Sequence, residues 1–381
     1  MLSCQARRGK RKLFIRNSKK TIKRGLKLSR KAVTKVQAAI IAVIVIVAVI
    51  AGATYYYISA PRPTPTPTPL RTVRVAATAT GLVFAPLFVG DELGYFKEEG
   101  LKIQYIWTGS VVITTQAILS GDADFAIGHG ALEVPKLIAE GQRLTMIMGV
   151  TTKETAIWLV QERLKDKVKT PADMKGLSVG VTKPGGGVWA LAVIALNKHG
   201  LKAEDVTWVS LGGDPLPVVN AFEGKQVDSI IMPEHIISLA EARAGGFELI
   251  DFTKPADSLM YMGSENLVST VIYTRPSLVV AEPELCKKFL RAMLKSLNYM
   301  NTHTAEEIAE VLAPRYEGID KAILVKVFER YRNVWSKDGV ITKEAYEASL
   351  KAFYSVGLVK TLVPYSDAVD LKLLNEVLKG T

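Results

Sequence analysis

Three consecutive glycines, Gly185, Gly186 and Gly187, stand behind Pro184 and ahead of a helical pattern that opens with Val188 and Trp189. Bare backbone at a helix start leaves N–H groups free, and free N–H groups attract anions. Read as Gly185-x-Gly187-x-x-Ala190 after the apolar stretch Leu177 to Val181, the segment fits a loose dinucleotide fingerprint. It lacks the Gly-Lys-Ser/Thr ending of a phosphate loop, which argues against a nucleoside triphosphatase. Two other turns share its character, Thr108-Gly109-Ser110 and Gly128-His129-Gly130. Their common chemistry is hydrogen bonding from backbone and small side chains to a polar or anionic group.

Several larger side chains lie beside these turns. Trp189 lies in the first turn after the glycines and either stacks on a ring or packs in the core. His129 sits inside a glycine turn, where it can reach a ligand. Glu234 and His235 are adjacent, so in a helical turn they point apart; a carboxylate facing a cleft there would favour a cationic or zwitterionic ligand. Asp122, Asp124 and Asp228 read as loop or strand-start residues. Covalent chemistry is poorly served. The four histidines, His129, His199, His235 and His303, show no metal spacing, Cys286 has no evident base, and no Gly-x-Ser-x-Gly elbow occurs. Neither an enzyme nor a metal site is expected, and catalytic residues are none.

The elements that position these turns fall into two similar halves. "TVRVAAT", "KIQYIWT" and "DFAIG" read as strands separated by helices in the first half. "LSVGV", "VTWVS" and "VDSIIM" repeat that order in the second, with Gly100-Leu101-Lys102 answered by Gly200-Leu201-Lys202. The helices "AILSGDADFAI" and "AFEGKQVDSII" match as well, each with Ala, then Asp seven later, then Ile. Apolar strands alternating with helices predict parallel sheets covered on both faces. The fold class is therefore α/β with two lobes and a central cleft, and helix starts such as Gly187 sit at the strand ends where ligands bind. From Pro283 onward the pattern is helical: Pro283 to Asn301, a helix after the Thr304-x-x-Glu307 capping box, Asp320 to Val334, and Thr342 to Val356.

Charge places the chain at a membrane. Net charge is +12, but residues 1–36 hold fourteen Lys/Arg and no acid, so residues 37–381 carry +12 − 14 = −2. The basicity belongs to a leader, which reads as a topology signal and not as a nucleic-acid surface. Residues 37–59, almost wholly apolar and ending in Tyr55, Tyr56 and Tyr57, are long enough to span a bilayer of ~30 Å. The positive flank keeps the N-terminus cytoplasmic and puts the body outside. Ala51-Gly52-Ala53 permits the competing reading of a cleaved signal peptide, but the long basic leader and long apolar run favour an uncleaved anchor. Residues 60–71 include "PRPTPTPTP", an extended Thr/Pro linker at ~3.1 Å per residue. Outside a cell a dinucleotide is scarce, so no cofactor is expected.

The series "APLFVGDELGYFKEEGLKI", "ILSGDADFAIG", "EGQRLTMIMGV", "PADMKGLSVGVTKPGG", "NKHGLKAEDV" and "FEGKQVDSII" resembles ABC-transporter solute-binding proteins of the nitrate/sulfonate/taurine type. That group includes relatives binding thiamine-pyrimidine precursors, and the resemblance covers roughly Val73 to Ser277. It implies a type II periplasmic-binding-protein fold that closes on a small polar solute by hinge motion. Lobe 1 would comprise residues 72–158 and 265–381, and lobe 2 residues 159–264. Permease and ATPase subunits are the implied partners, the membrane holds the N-terminal helix, and the body is expected to be a monomer. By position, the resemblance puts solute contacts at Thr80 to Phe84, Thr108, Gly109, Ser110, Gly128, His129, Thr182, Gly185, Gly186, Gly187, Val188, Met232, Glu234 and His235. Members often carry Ser or Thr where this chain has only glycine, so its donors there must be backbone. A membrane-tethered sensor ectodomain and an extracytoplasmic enzyme of the same fold are the alternative functions.

Overall fold

The computed structural model describes residues 34–59, 69–78 and 81–380. The basic leader, nearly all of the Thr/Pro linker and Thr80 lie outside the described residues. The chain separates into two units, Met1–Pro67 and Thr68–Thr381. In the first, Lys35–Ser59 forms one helix of 25 residues, exposed throughout. At ~1.5 Å per residue it reaches about 37 Å, long and apolar enough to cross a bilayer.

Among the described residues ten strands build the second unit: β1 (Arg71–Ala77), β2 (Leu101–Trp107), β3 (Phe125–His129), β4 (Thr145–Gly149), β5 (Ala156–Val160), β6 (Ser178–Val181), β7 (Thr207–Ser210), β8 (Ser229–Pro233), β9 (Phe247–Asp251) and β10 (Thr270–Thr274). They pair into two five-stranded sheets, β2-β1-β3-β10-β4 and β7-β6-β8-β5-β9. The expected wholly parallel sheets are corrected in one respect. The fourth strand of each sheet, β10 or β5, runs antiparallel to both its neighbours. The cause is connectivity: the chain leaves lobe 1 after β4 straight into β5, and returns from β9 straight into β10.

The first crossing is the segment 150–155, and the second lies between Asp251 and Thr270. Residues 156–158, expected in lobe 1, therefore pair inside the second sheet. Strand β5 is buried on both faces. Ile157 and Leu159 pack with Val218, Phe222 and Met232, whereas Trp158 and Val160 pack with the helix Gly187–Lys198.

The internal repeat is built in hydrogen bonds. Thr108 N–H and Gly109 N–H donate to the carbonyls of Ala77 and Thr78 at 3.0 Å, and Leu211 and Gly212 do the same to Val181 and Thr182 at 2.8 and 3.0 Å. Asp124 accepts from the Arg74 N–H at 2.8 Å, and its counterpart Asp228 from the Ser178 N–H at 2.9 Å. Both aspartates thus lock the first strand of a repeat to its third, β1 to β3 and β6 to β8, the structural role their positions suggested. An Asp buried against a backbone N–H and an arginine is well satisfied.

The C-terminal helices close lobe 1. Pro283–Thr302 lays Phe289 on Phe125 with ring centroids 4.2 Å apart, and Thr304 with Glu307 forms the capping box at the start of Ala305–Leu312. Lys343–Ser355 packs against both Gly130–Ala139 of lobe 1 and Gly187–Lys198 of lobe 2. One helix therefore touches both lobes.

Candidate functional site

In lobe 2 the glycine turn does what the sequence requires of it. Gly185 has φ +75°, a conformation that costs an L side chain about 1 kcal/mol or more. A Cβ on Gly186 would come within 3.1 Å of the Lys183 carbonyl oxygen, so a side chain there would require the turn to shift by a few tenths of an ångström. Gly187 then starts the helix Gly187–Lys198, whose first N–H groups have no acceptor inside the helix. A Cβ at Gly187 would lie 3.6 Å from Leu132, which belongs to the first turn of the lobe 1 helix Gly130–Ala139. The two lobes are thus in van der Waals reach at this helix start. Thr182 and Val188 flank it, both half-buried. Lys183 is exposed and has no ion-pair partner among the described residues.

Lobe 1 contributes the turn after β2. Ser110 caps the helix Val111–Ser120, its hydroxyl accepting from Ile113 N–H at a long 3.4 Å. Thr108 is committed inward, to the Ala77 and Ser110 carbonyls at 3.1 Å and to the Thr114 hydroxyl at 2.6 Å. The backbone N–H groups at this helix start, like those at Gly187, point along the helix axis away from its body.

Five of the expected contact residues make packing or polar contacts within the protein. Phe84 is buried in the lobe 1 core, because it lies in the 3-10 turn that feeds the buried helix Ala85–Glu92. Met232 is 0% exposed in the second sheet, an inward position of a strand covered on both faces. Trp189 rests on Trp208 of β7 at 5.9 Å between ring centroids, its helical position turning it along the sheet. Glu234 is 0% exposed and reaches away to a cationic cluster. Its Oε1 accepts from the Ser238 hydroxyl at 2.5 Å and lies 3.4 Å from the Arg330 guanidinium. Arg330 also binds Glu241 at 3.0 Å and Glu248 at 2.6 Å, while Lys326 binds Glu241 at 2.7 Å.

His129 is the fifth. It stands 24% exposed at the end of β3, its Nε2 3.0 Å from both carboxylate oxygens of Glu154. The Ser269 hydroxyl donates to the same carboxylate at 3.2 Å. The three residues come from β3 and from the two crossing segments, so the cluster ties the hinge to lobe 1. Since Ser269 bonds Glu154 and not His129, the arrangement is no nucleophile–base relay. Burial pulls the His129 pKa down, but the Glu154 charge and hydrogen bond outweigh it and the net direction is up. Sequence reasoning missed Glu154 and Ser269, which carry no periodic or motif signal; only the crossing position singles them out. Gly128, beside it, would meet the Glu133 carboxylate at 2.7 Å were it to carry a Cβ.

His235 opens the helix Glu234–Ala244 beside Glu234. It is half-buried, has no hydrogen-bond partner among the described residues, and burial pushes its pKa down to about 4. It therefore enters neutral chemistry only, as a donor or acceptor. Among the described residues no group of three or more His, Cys, Asp or Glu could hold a metal.

The buried groups make a pH prediction. Desolvation lifts Glu234 to about 7, with Ser238 and Arg330 opposing and Glu241 reinforcing. The folded state then holds this proton more tightly than the unfolded chain, so stability falls as pH rises from about 4.5 to 7. His235 works in the other direction, losing stability as pH falls from 6.5 to about 4, and His129 adds to the loss above its ordinary 6.5. Glu234→Gln is expected to equal the wild type at pH 4.5 and to exceed it by about 3 kcal/mol at pH 8. Urea unfolding at the two pH values checks this; a variant less stable at pH 8 refutes it.

A family model described as "NMT1/THI5 like" matches residues 82–307. A Bacillus subtilis (strain 168) protein bearing the name of a binding protein, YtlA, is 22% identical over 81% of this chain and 90% of its own length. An Aspergillus parasiticus protein named 4-amino-5-hydroxymethyl-2-methylpyrimidine phosphate synthase is 27% identical over 67% of this chain and 73% of its own. Among solved structures, the alkanesulfonate-binding protein SsuA from Xanthomonas axonopodis pv. citri, bound to MOPS, superposes with a TM-score of 0.60 at 16% identity. That superposition covers 80% of this chain and 99% of the other, and it shows the two-lobed periplasmic-binding-protein fold.

Proposed function

We propose, from the premise that the chain belongs to the NMT1/THI5-like family, that it is the extracytoplasmic solute-binding subunit of an ABC importer. The observation that carries this reading is the approach of the lobes at Gly187 and Leu132, where an unpaired helix start of one lobe lies against the other. A solute bridging that gap is desolvated on closure and stabilises the closed form. The relative named as a binding protein and the sulfonate-binding neighbour support the same reading.

The charge of the solute follows from the groups at the turn. A helix start contributes roughly half a positive charge, and Lys183 adds an unpaired cation beside it. Glu234, the carboxylate that would favour a cationic solute, is spent on Arg330. The solute is therefore a small anion of the sulfonate or nitrate class. The helix Lys35–Ser59 tethers the body to the membrane, with the fourteen-cation leader on the cytoplasmic side. Permease and ATPase act as separate chains, and this chain's own chemistry is binding.

The test is thermal unfolding of the full chain in detergent against nitrate, bicarbonate, taurine, alkyl sulfonates and thiamine-pyrimidine precursors. A solute at one hundred times its Kd should stabilise the body by about 2.7 kcal/mol. A shift with a sulfonate or nitrate supports the proposal, and silence from every anion sinks it. The synthase relative gives a second reading, formation of a pyrimidine, which requires turnover by the purified protein.

A further inference from the structure

Away from the glycine turn, a cavity of about 780 Å³ opens between the crossing segments and the C-terminal helices. One wall is Thr151 to Lys153 with Asn266 to Val268; the other runs from Arg332 to the first turn of Lys343–Ser355, with Asn301 beside it. Its size falls inside the range of small-molecule sites, roughly 300–1,000 Å³. Neither the glycine turn, the Ser110 turn nor His235 lines it.

The charge of this cavity is unbalanced. Lys153 is 4% exposed, yet its ammonium has only carbonyl partners, the Glu265 backbone oxygen at 2.7 Å and the Asn266 amide oxygen at 3.4 Å. No carboxylate pairs with it among the described residues. A buried cation with no carboxylate in contact is costly, and burial draws the Lys153 pKa below the ordinary lysine value, opposed by the more distant charge of Glu265. At the mouth, Arg332 and Lys337 are exposed and likewise unpaired among the described residues. The single acid of the lining, Asp338, already accepts the Val340 N–H at 2.9 Å. Apolar floor comes from Trp335, Leu267, Val268 and Ile341, all buried.

We propose that this cavity is a second ligand site, for a small organic carboxylate whose charged end meets Lys153 and the Arg332 and Lys337 pair while its apolar body lies over the Trp335 floor. A planar guanidinium and two ammonium groups lining one cavity suit a carboxylate, and the Asn266 amide NH₂, without a partner among the described residues, supplies a neutral donor. The occupant supplies the contacting carboxylate that Lys153 lacks among the described residues.

The probe is 4-hydroxybenzoate, titrated calorimetrically into the full chain in detergent at low salt, with 4-hydroxybenzamide as the neutral control. Saturable binding of the carboxylate is expected, with the amide at least ~10-fold weaker. Lys153→Met should weaken carboxylate binding ~10-fold or more, and so should Arg332→Ala with Lys337→Ala, whose exposed positions spare the fold. Because Lys153→Met removes an uncompensated charge, its unfolding midpoint should hold or rise. Absence of saturable binding, equal binding of the amide, or binding unchanged in both variants overturns the site. A fall in the Lys153→Met midpoint with binding intact in the Arg332/Lys337 pair identifies a merely structural lysine and overturns it too.

Discussion

Arg330→Met is expected to destabilise the body by roughly 3–5 kcal/mol at pH 8, the penalty for stranding the buried Glu234 carboxylate without its cation. Arg330 spans Glu234, Glu241 and Glu248, all from the second lobe. Its own helix, Lys321–Arg330, buries Leu324, Val327 and Phe328 in the first-lobe core. The cluster is thus an ionic rivet between lobes. At pH 5 the Glu234 carboxyl is already protonated, since burial holds it near 7, and the penalty should shrink to roughly half or less. Lys326 keeps Glu241 and Lys254 keeps Glu248, at 2.7 and 2.8 Å, so neither is left bare in the variant. Urea unfolding at both pH values reads the difference. An equal penalty at pH 5 and pH 8 would show that lost packing of the arginine stem, not charge, sets the cost.

Gly187→Phe is the second large effect. A Cβ alone fits, 3.6 Å from Leu132, but a ring directed at Leu132 has to push it aside or hold the lobes apart. The side chain becomes a wedge. The solute identified by the unfolding panel should lose affinity by ~100-fold or more, about 2.7 kcal/mol. The position has ordinary φ and solvent on the open side, so the solute-free midpoint should move by no more than ~2 °C. Small-angle scattering gives an independent readout, because the wedged body should stay extended when solute is added. Retained affinity in this variant would remove the glycine turn from the solute site.

The sequence carried most of the architecture because its signals are local. Gly100 and Gly200, Asp124 and Asp228, and the two small-residue turns recur at matching places, and each proves to make the same hydrogen bond or turn in its lobe. The antiparallel strands were not legible. A strand buried on both faces, such as Ala156–Val160, is a continuous apolar run with no period to reveal its direction. Side-chain orientation was the other loss. Glu234 and His235 are neighbours with opposite fates, one under Arg330 and one without a hydrogen-bond partner among the described residues, and the choice depends on a helix much further along the chain. Lys153 carried no signal, since a buried ammonium is recognisable only once its surroundings are known. Trp189 allowed both readings from sequence, and the edge strand bearing Trp208 settles its packing.

The position of β10 also dictates the order in which the molecule can be assembled. The second sheet is complete when β9 ends at Asp251, but the first waits for residues 270–274 to fill the gap between β3 and β4. Phe125 waits longer still, for the helix that brings Phe289. A chain emerging from its N-terminus therefore passes through a stage with one finished lobe and one split sheet. In that stage the unpaired edges of β3 and β4 are the surfaces most open to proteases and to strand exchange with a neighbouring chain.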